Sequence, residues 1–325
     1  MTGKDEMNEH SPIRKRGSLL ERASELYDFR RAMPAPGPVA AEAKAPPAPV
    51  AWPAPVSPAP VSFVPQPAAS IAEPAYAPAP FRGREGVVDF AILRDLGFIV
   101  PDAPVNALSE EFRIVKRQLL LTASGGFNGK PLPRGRMILV CSAQPNEGKT
   151  FCAVNLALSL AAERDVDVLL VDGDFAKPEI PAMLGLEAGP GLMDALADPE
   201  LDVETCVIRT DIPNFSVLPA GRQSNNDTEH LASARTRAVL EALLANPARV
   251  VILDSPPALA ASPASVLALH AGQVLMIVRA DQTSETDLRA ALALLNGCDT
   301  IQLLLNGTRL NTAGQRFGSY YGYGD

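Results

Sequence analysis

From Met137 onward, apolar residues in this chain gather into short continuous runs, each ending in a polar or charged residue. MILVCS at 137–142, VDVLLVD at 166–172, FSVLPA from Phe215, VVILD from Val250, VLMIVR from Val274 and IQLLLN from Ile301 read as strands. Runs of Val, Ile and Leu without alternation mark strands covered on both faces, as in a parallel sheet. Segments with helical spacing lie between them: SEEFRIVKRQLLLTA capped by Ser109, Thr150 to Glu163, Glu229 to Leu244, and Ser284 to Leu295. Strand and helix alternate, so the expected fold class is α/β, a parallel sheet with helices on both faces. No internal repeat is apparent.

Upstream the pattern changes. Met33 to Pro80 is mostly Pro, Ala and Val and holds about half of the chain's 31 prolines. Proline removes backbone donors and alanine has little surface to bury. Such a segment does not offset an ordering cost of about 1–2 kcal/mol per residue, and it reads as an extended tether. Before it, SLLERASELYDF (Ser18 to Phe29) carries an S-x-x-E capping box and one apolar stripe of Leu19, Leu20, Ala23, Leu26 and Tyr27. This short helix would dock on its own domain or engage a partner. The expected organisation is a helix region at 1–32, a linker at 33–85, a globular domain at 86–311 and a tail at 312–325.

Charge and composition narrow the class. The 325 residues carry a formal net charge of −8 with no long Lys/Arg run, so nothing marks a nucleic-acid partner. Four scattered cysteines and three histidines form neither a disulfide framework nor a zinc pattern. The longest apolar candidate, from Val266, is interrupted by His270, Gly272 and Gln273. It falls short of the roughly 20 residues a membrane span needs. The polar N-terminus lacks the apolar core of a secretory signal, and a soluble, cytoplasmic protein is expected.

The chemistry concentrates at strand ends. CSAQPNEGKT, from Cys141 to Thr150, follows the MILV run and precedes a helix. That is the setting in which loop amides and a helix N-terminus wrap phosphate oxygens. Ala143 stands where the phosphate-loop pattern has its first glycine; a compact residue suffices there. Gln144, Pro145, Asn146, Glu147, Gly148, Lys149 and Thr150 are the candidate nucleotide-binding residues. Lys149 would reach the β- and γ-phosphates, and the Thr150 hydroxyl would face Mg²⁺. Asp172 and Asp174 follow the second strand and Asp254 a later one. In an open parallel sheet all three converge outside the carboxyl ends with Lys149. Mg²⁺ keeps several waters and uses few carboxylates, so Thr150, Asp172 and Asp254, the last through water, are the candidate metal residues. Asn306, at the end of IQLLLN, would read the adenine base or simply form a turn with Gly307.

Together these motifs resemble the bacterial tyrosine kinases of capsule and exopolysaccharide synthesis. Pro145, Glu147, Gly148, Lys149 and Thr150 match the family's loop. Asp172, Asp174, Lys177 and Pro178 match its D-x-D motif, and Asp254, Pro256 and Pro257 match the third. The similarity runs from about Leu108 to the C-terminus. The front helix, the tether and the stretches TEHLAS and DSPPALAASPASVLALH look most like the branch found with exosortase-type loci. The resemblance implies a P-loop NTPase of the deviant-Walker, partitioning-ATPase-like superfamily. It also implies ATP and Mg²⁺ as cofactors and autophosphorylation of a C-terminal tyrosine cluster in trans. Here that cluster is Tyr320, Tyr321 and Tyr323, three of the chain's five tyrosines. The implied partners are an inner-membrane chain-length protein as activator, a cognate tyrosine phosphatase, and further copies of the chain in a ring.

The mechanism asks for a base. A tyrosine with pKa near 10 is ionised in only about one molecule in a thousand at neutral pH. A carboxylate would help, and Asp172 or Asp174 is the candidate, the other helping to hold Mg²⁺. Two positions depart from the family. Ala176 replaces the arginine of D-x-D-x-R, leaving Lys177 as the nearby cation. The oligomerisation pattern E-x-x-R-x-x-R is met by Glu110, Arg113 and Lys116, with Lys in the last place. The competing readings are a partitioning-type switch ATPase and a nucleotide-binding regulator without turnover. Switch ATPases carry a lysine at the second loop position, where this chain has Gln144.

Overall fold

The computed structural model describes residues 81–126, 129–223 and 227–308. The chain divides into two units, Met1–Ser70 and Ile71–Asp325, and every described residue belongs to the second. The front helix, the tether to Pro80, and Tyr320, Tyr321 and Tyr323 lie outside the described residues.

The strands are β1 (Arg84–Gly86), β2 (Met137–Ser142), β3 (Asp167–Asp172), β4 (Ile208–Thr210), β5 (Phe215–Leu218), β6 (Arg249–Asp254), β7 (Gln273–Arg279) and β8 (Ile301–Asn306). They form one sheet in the order β1-β4-β5-β3-β6-β2-β7-β8. The six strands expected from the apolar runs are all present and mutually parallel. β4 and β1 were not foreseen. β4 pairs antiparallel with β5, so this edge corrects the purely parallel expectation. Both are three-residue strands, too short to leave a periodic signal. Arg84 and Glu85, at the end of the segment read as linker, pair with Ile208 and Arg209.

The helices are α1 (Phe90–Asp95), α2 (Ala107–Ala123), α3 (Lys149–Ala161), α4 (Ile180–Met183), α5 (Leu192–Ala197), α6 (Asp227–Leu231), α7 (Ala234–Leu243), α8 (Pro263–Ala268) and α9 (Glu285–Leu294). Alternate strand residues feed two cores. Ile138, Val140, Leu170, Ile252 and Ile277 pack with α1 to α4 on one face. Leu139, Cys141, Val171, Leu253 and Met276 pack with α5 to α9 on the other. This is why the central strands read as unbroken apolar runs.

Two helix expectations change. α2 begins at Ala107 with Asn106 as its cap, and Ser109 returns the second bond of a capping box. The cap therefore sits three positions earlier than the serine suggested. The stretch from Glu229 to Leu244 is two helices, α6 and α7. Ser233 is extended between them, and the Thr236 hydroxyl donates to the His230 carbonyl at 2.7 Å. Serine and threonine compete with helical bonding in this way.

Register sets out the site. β3 and β6 place Asp172 directly beside Asp254, and β7 and β8 place Arg279 beside Asn306. β2, carrying the loop, lies between these two pairs.

Candidate functional site

The loop between β2 and α3 is built for close approach. Ala143 is fully buried and its carbonyl accepts from Leu259 at 3.2 Å, so the position needs a small side chain. Gln144, Pro145 and Asn146 form the exposed tip, and Asn146 takes φ 65°. Gly148 takes φ 91°, and a Cβ there would lie 2.2 Å from Asn306 Nδ2. Only glycine adopts this conformation freely and also tolerates that contact. α3 then starts at Lys149 with no side chain capping its first turn. Uncapped first-turn amides together with the helix dipole favour an anion.

Glu147 corrects one expectation. Its side chain is buried and turned into the protein, so it would meet a nucleotide through its backbone only. Oε2 accepts from the Gln144 amide at 2.9 Å, and Oε1 bonds the Thr283 hydroxyl in the turn after β7. Thr283 in turn accepts from the Arg279 amide at 2.8 Å. Asn306 Nδ2 donates to the Glu147 carbonyl at 2.9 Å, with Gly307 at φ 69° forming the turn beyond it. The loop is thus pinned to the ends of both β7 and β8.

On the other side lie the carboxylates. Lys149 Nζ reaches Asp174 Oδ2 at 2.7 Å and Thr150 Oγ1 at 3.3 Å. Burial alone would lower the Lys149 pKa, but Asp254, Asp174 and Asp172 together hold it above the ordinary lysine range. Asp172 is fully buried; Oδ1 accepts from the Asp174 amide at 3.3 Å and Oδ2 from the Ile180 amide at 3.1 Å. Burial pushes its pKa up to about 6 despite those two bonds. Asp254 is 1% exposed, and its Oδ1 is buried without a hydrogen-bond partner. Burial raises it to about 7, against the pull of Lys149 and a hydrogen bond with Thr150. Gly173 lets the two strand ends meet: its amide donates to the Asp254 carbonyl at 2.7 Å, and a Cβ would sit equally close.

An orphaned carboxylate oxygen beside a threonine hydroxyl supplies oxygen donors suited to hydrated Mg²⁺, and the uncapped amides of α3 suit the phosphate chain. Among the described residues no cluster of three or more His, Cys, Asp or Glu forms a closed metal cage.

Other expected residues fall elsewhere. Lys177, the cation nearest the position of the absent arginine, is exposed and pairs with Glu179 at 2.9 Å. On α2, Glu110 and Arg113 pair with each other near the surface. Lys116 is buried and bonds the Ser159 carbonyl at 2.7 Å and Glu163 at 2.6 Å. That last finding corrects its expected place in an oligomer contact, since its ammonium is committed within the chain. Arg279, Thr283 and Gly173 were not singled out from the sequence. A charged residue closing the apolar run VLMIVR was the available signal for Arg279.

A family model described as AAA domain (AAA_31) matches residues 135–308, more than half of the chain. The tyrosine-protein kinase YwqD of Bacillus subtilis is 30% identical over 193 residues, covering 58% of this chain and 79% of that protein. The tyrosine-protein kinase wzc of Salmonella typhimurium is 29% identical over 192 residues, 58% of this chain but only 26% of its own length. The chain therefore spans about a quarter of that longer relative. Among solved structures, the kinase domain of Escherichia coli tyrosine kinase ETK superposes with a TM-score of 0.58 at 23% identity, covering 72% of this chain and 86% of that one.

Proposed function

The chain belongs to the bacterial tyrosine-protein kinase family with an AAA_31-type AAA domain, and from that premise we propose that it is a Mg-ATP-dependent tyrosine autokinase. The observation that carries the proposal is the buried lysine–carboxylate cluster at the phosphate loop, with Asp254 Oδ1 left without a partner.

In the proposed reaction the phenol oxygen of a tyrosine bonds to the γ-phosphorus of ATP. The bond to the β–γ bridging oxygen breaks and ADP leaves with that electron pair. The phenol proton passes to a carboxylate. Asp174 is the better placed of the two candidates, because Asp172 is held by two backbone amides that fix the strand end. Phosphates would draw Lys149 from Asp174, freeing that carboxylate to accept the proton. Thr150 and Asp254 would hold Mg²⁺, the aspartate through water, with Asp172 adding its remaining lone pairs. The bound ion would supply charge neutralisation along the phosphate chain. Lys149 and the uncapped amides of α3 would stabilise charge on the transferred group.

The acceptors in this reading are Tyr320, Tyr321 and Tyr323, phosphorylated in trans within a ring to which Glu110 and Arg113 of α2 contribute. In sequence, the tail at 312–325 and the tether that begins at residue 33 flank the catalytic domain, which takes in Arg84 and Glu85 of β1. The protein would act in exopolysaccharide or capsule polymerisation and export, in the exosortase-type branch. No described helix is long and apolar enough to cross a membrane. The proposed setting is the cytoplasm at the inner membrane, under a chain-length protein as activator and opposed by a tyrosine phosphatase.

Incubating the full chain with labelled ATP and Mg²⁺, beside Lys149→Met and a triple Tyr320/Tyr321/Tyr323→Phe variant, tests this. Label is expected only in the unaltered chain. Label surviving in Lys149→Met would remove the site, and undiminished label in the triple variant would remove the tail. ATP hydrolysis without phosphotyrosine would establish a switch ATPase instead.

A further inference from the structure

Arg279 closes β7 one strand from the phosphate loop, on the side away from the carboxylates. It is half-buried, yet among the described residues it has no ion-pair partner. Three other well-buried cations here do have carboxylate partners. Arg249 pairs with Asp167 at 2.9 Å and also with Glu204, while Lys116 and Lys149 have their own carboxylates. Arg279 is held in place by everything except a counter-charge. Its amide donates to Thr283, and the next residue, Ala280, donates to the Asn306 carbonyl at 2.9 Å. Its guanidinium lies against Gly307: a Cβ there would meet Nε at 2.9 Å and Cζ at 3.0 Å. Nη1 is 3.9 Å from the Cβ position of Gly148.

A guanidinium packed on a glycine that has no Cβ is a planar group resting on a bare peptide. Guanidinium planes stack on aromatic faces as readily as they pair with anions. The order of groups along the carboxyl edge says which applies. Asp172 and Asp254 stand over β3 and β6, the uncapped start of α3 follows β2, and Arg279 and Asn306 stand over β7 and β8. A nucleotide with its terminal phosphates at the carboxylate end points its base toward β7 and β8. We infer that Arg279, seated on Gly307, is the shelf on which the purine ring of the nucleotide stacks. This deepens the proposed nucleotide site and depends on it. The stack requires that no internal carboxylate pull the guanidinium off Gly307 and out of plane, and none does among the described residues.

The test compares ATP with inorganic tripolyphosphate, which carries the phosphate charge without a base. Binding of each to the full chain is measured by calorimetry in Mg²⁺, for the unaltered protein, Arg279→Ala and Arg279→Lys. Arg279→Ala should weaken ATP about tenfold, the scale of one lost stacking contact, and leave tripolyphosphate within about twofold. Arg279→Lys keeps the charge but lacks the plane, and should lose most of the same factor. Equal weakening of both ligands by Arg279→Ala would make Arg279 a phosphate contact and overturn the stack. So would unchanged ATP affinity, or full rescue by lysine. If Arg279→Ala fails to fold, the lysine variant alone decides, since stacking predicts loss and a charge contact predicts retention. Failure of the unaltered chain to bind either ligand would instead overturn the nucleotide site itself.

Discussion

Two buried lysines sit at opposite ends of α3 and are treated oppositely. Lys116 reaches its C-terminal end, where it bonds the Ser159 carbonyl and Glu163, a cation at the negative end of the helix dipole with its partners complete. Lys149 begins the helix and faces three carboxylates at once, one of which keeps an oxygen with no partner. A lysine that only holds the fold is satisfied locally. A lysine in a site built for a ligand is surrounded by more negative charge than it can neutralise. The excess is what a divalent cation would resolve.

Exchanging the fates of the two lysines tests that contrast most strongly. Lys149→Met should lower ATP affinity and label transfer by on the order of 100-fold or more, and, because it leaves the buried Asp174 without its cation, should lower the thermal midpoint at pH 7 as well. Lys116→Met should cost stability alone. It strips a partner from the Ser159 carbonyl and from Glu163, costing about 1–3 kcal/mol in urea unfolding. Glu163 is half-exposed and regains water, which keeps the cost below that of a sealed pair. Nucleotide affinity of the folded Lys116→Met protein should stay within about twofold. A large affinity loss there would mean that α2 and the phosphate loop are coupled, and the contrast would fail.

The next test uses pH. Asp172 and Asp254 have folded-state pKa values raised to about 6 and about 7, both above the ordinary 3.8. The folded protein therefore binds protons more tightly than the unfolded chain between about pH 4 and pH 7. Without ligand, stability should fall as pH rises through that window. Binding of Mg-ADP needs the ionised carboxylates and should tighten over the same range. Asp254→Asn removes the larger shift. It should make the ligand-free protein more stable at pH 8, by on the order of 1–3 kcal/mol, while flattening the pH trend and abolishing Mg²⁺-dependent binding. A less stable Asp254→Asn protein at pH 8 would show that the carboxylate is satisfied in solution.

Much of this arrangement was legible in the residues. Long apolar runs identify β2, β3, β6, β7 and β8 because strands covered on both faces have no polar side to break the pattern. Asp172, Asp174, Asp254 and Lys149 follow from strand ends converging on one edge. What stayed hidden has a physical cause in each case. β1 and β4 are three residues each. The α6–α7 break depends on a threonine hydroxyl choosing a carbonyl in the turn before it. Glu147 looked like a ligand residue because it lies between the loop's other candidates. Its inward turn depends on Thr283, 136 positions away in sequence. Lys116 looked like a surface residue because α2 alone does not reveal that α3 ends beneath it.

The smallest expected effect concerns the pinning of the loop. Thr283 bonds Glu147 and accepts from the Arg279 amide, so one hydroxyl links the phosphate loop to the end of β7. Thr283→Val keeps the shape and removes both bonds. The Gln144 amide still holds Oε2 of Glu147, and Asn306 still holds its carbonyl, so Glu147 loses one of three ties. A single hydrogen bond contributes about 1 kcal/mol net, which corresponds to roughly a fivefold weaker affinity for ATP. Tripolyphosphate should weaken to the same degree, because a loosened loop misplaces the phosphate-binding amides whatever is attached to the phosphates. That outcome separates Thr283 from Arg279, whose loss should be felt by ATP alone. If Thr283→Val spared tripolyphosphate, the tie would serve the β7 end and not the loop, and Glu147 would owe its inward turn to Gln144 only.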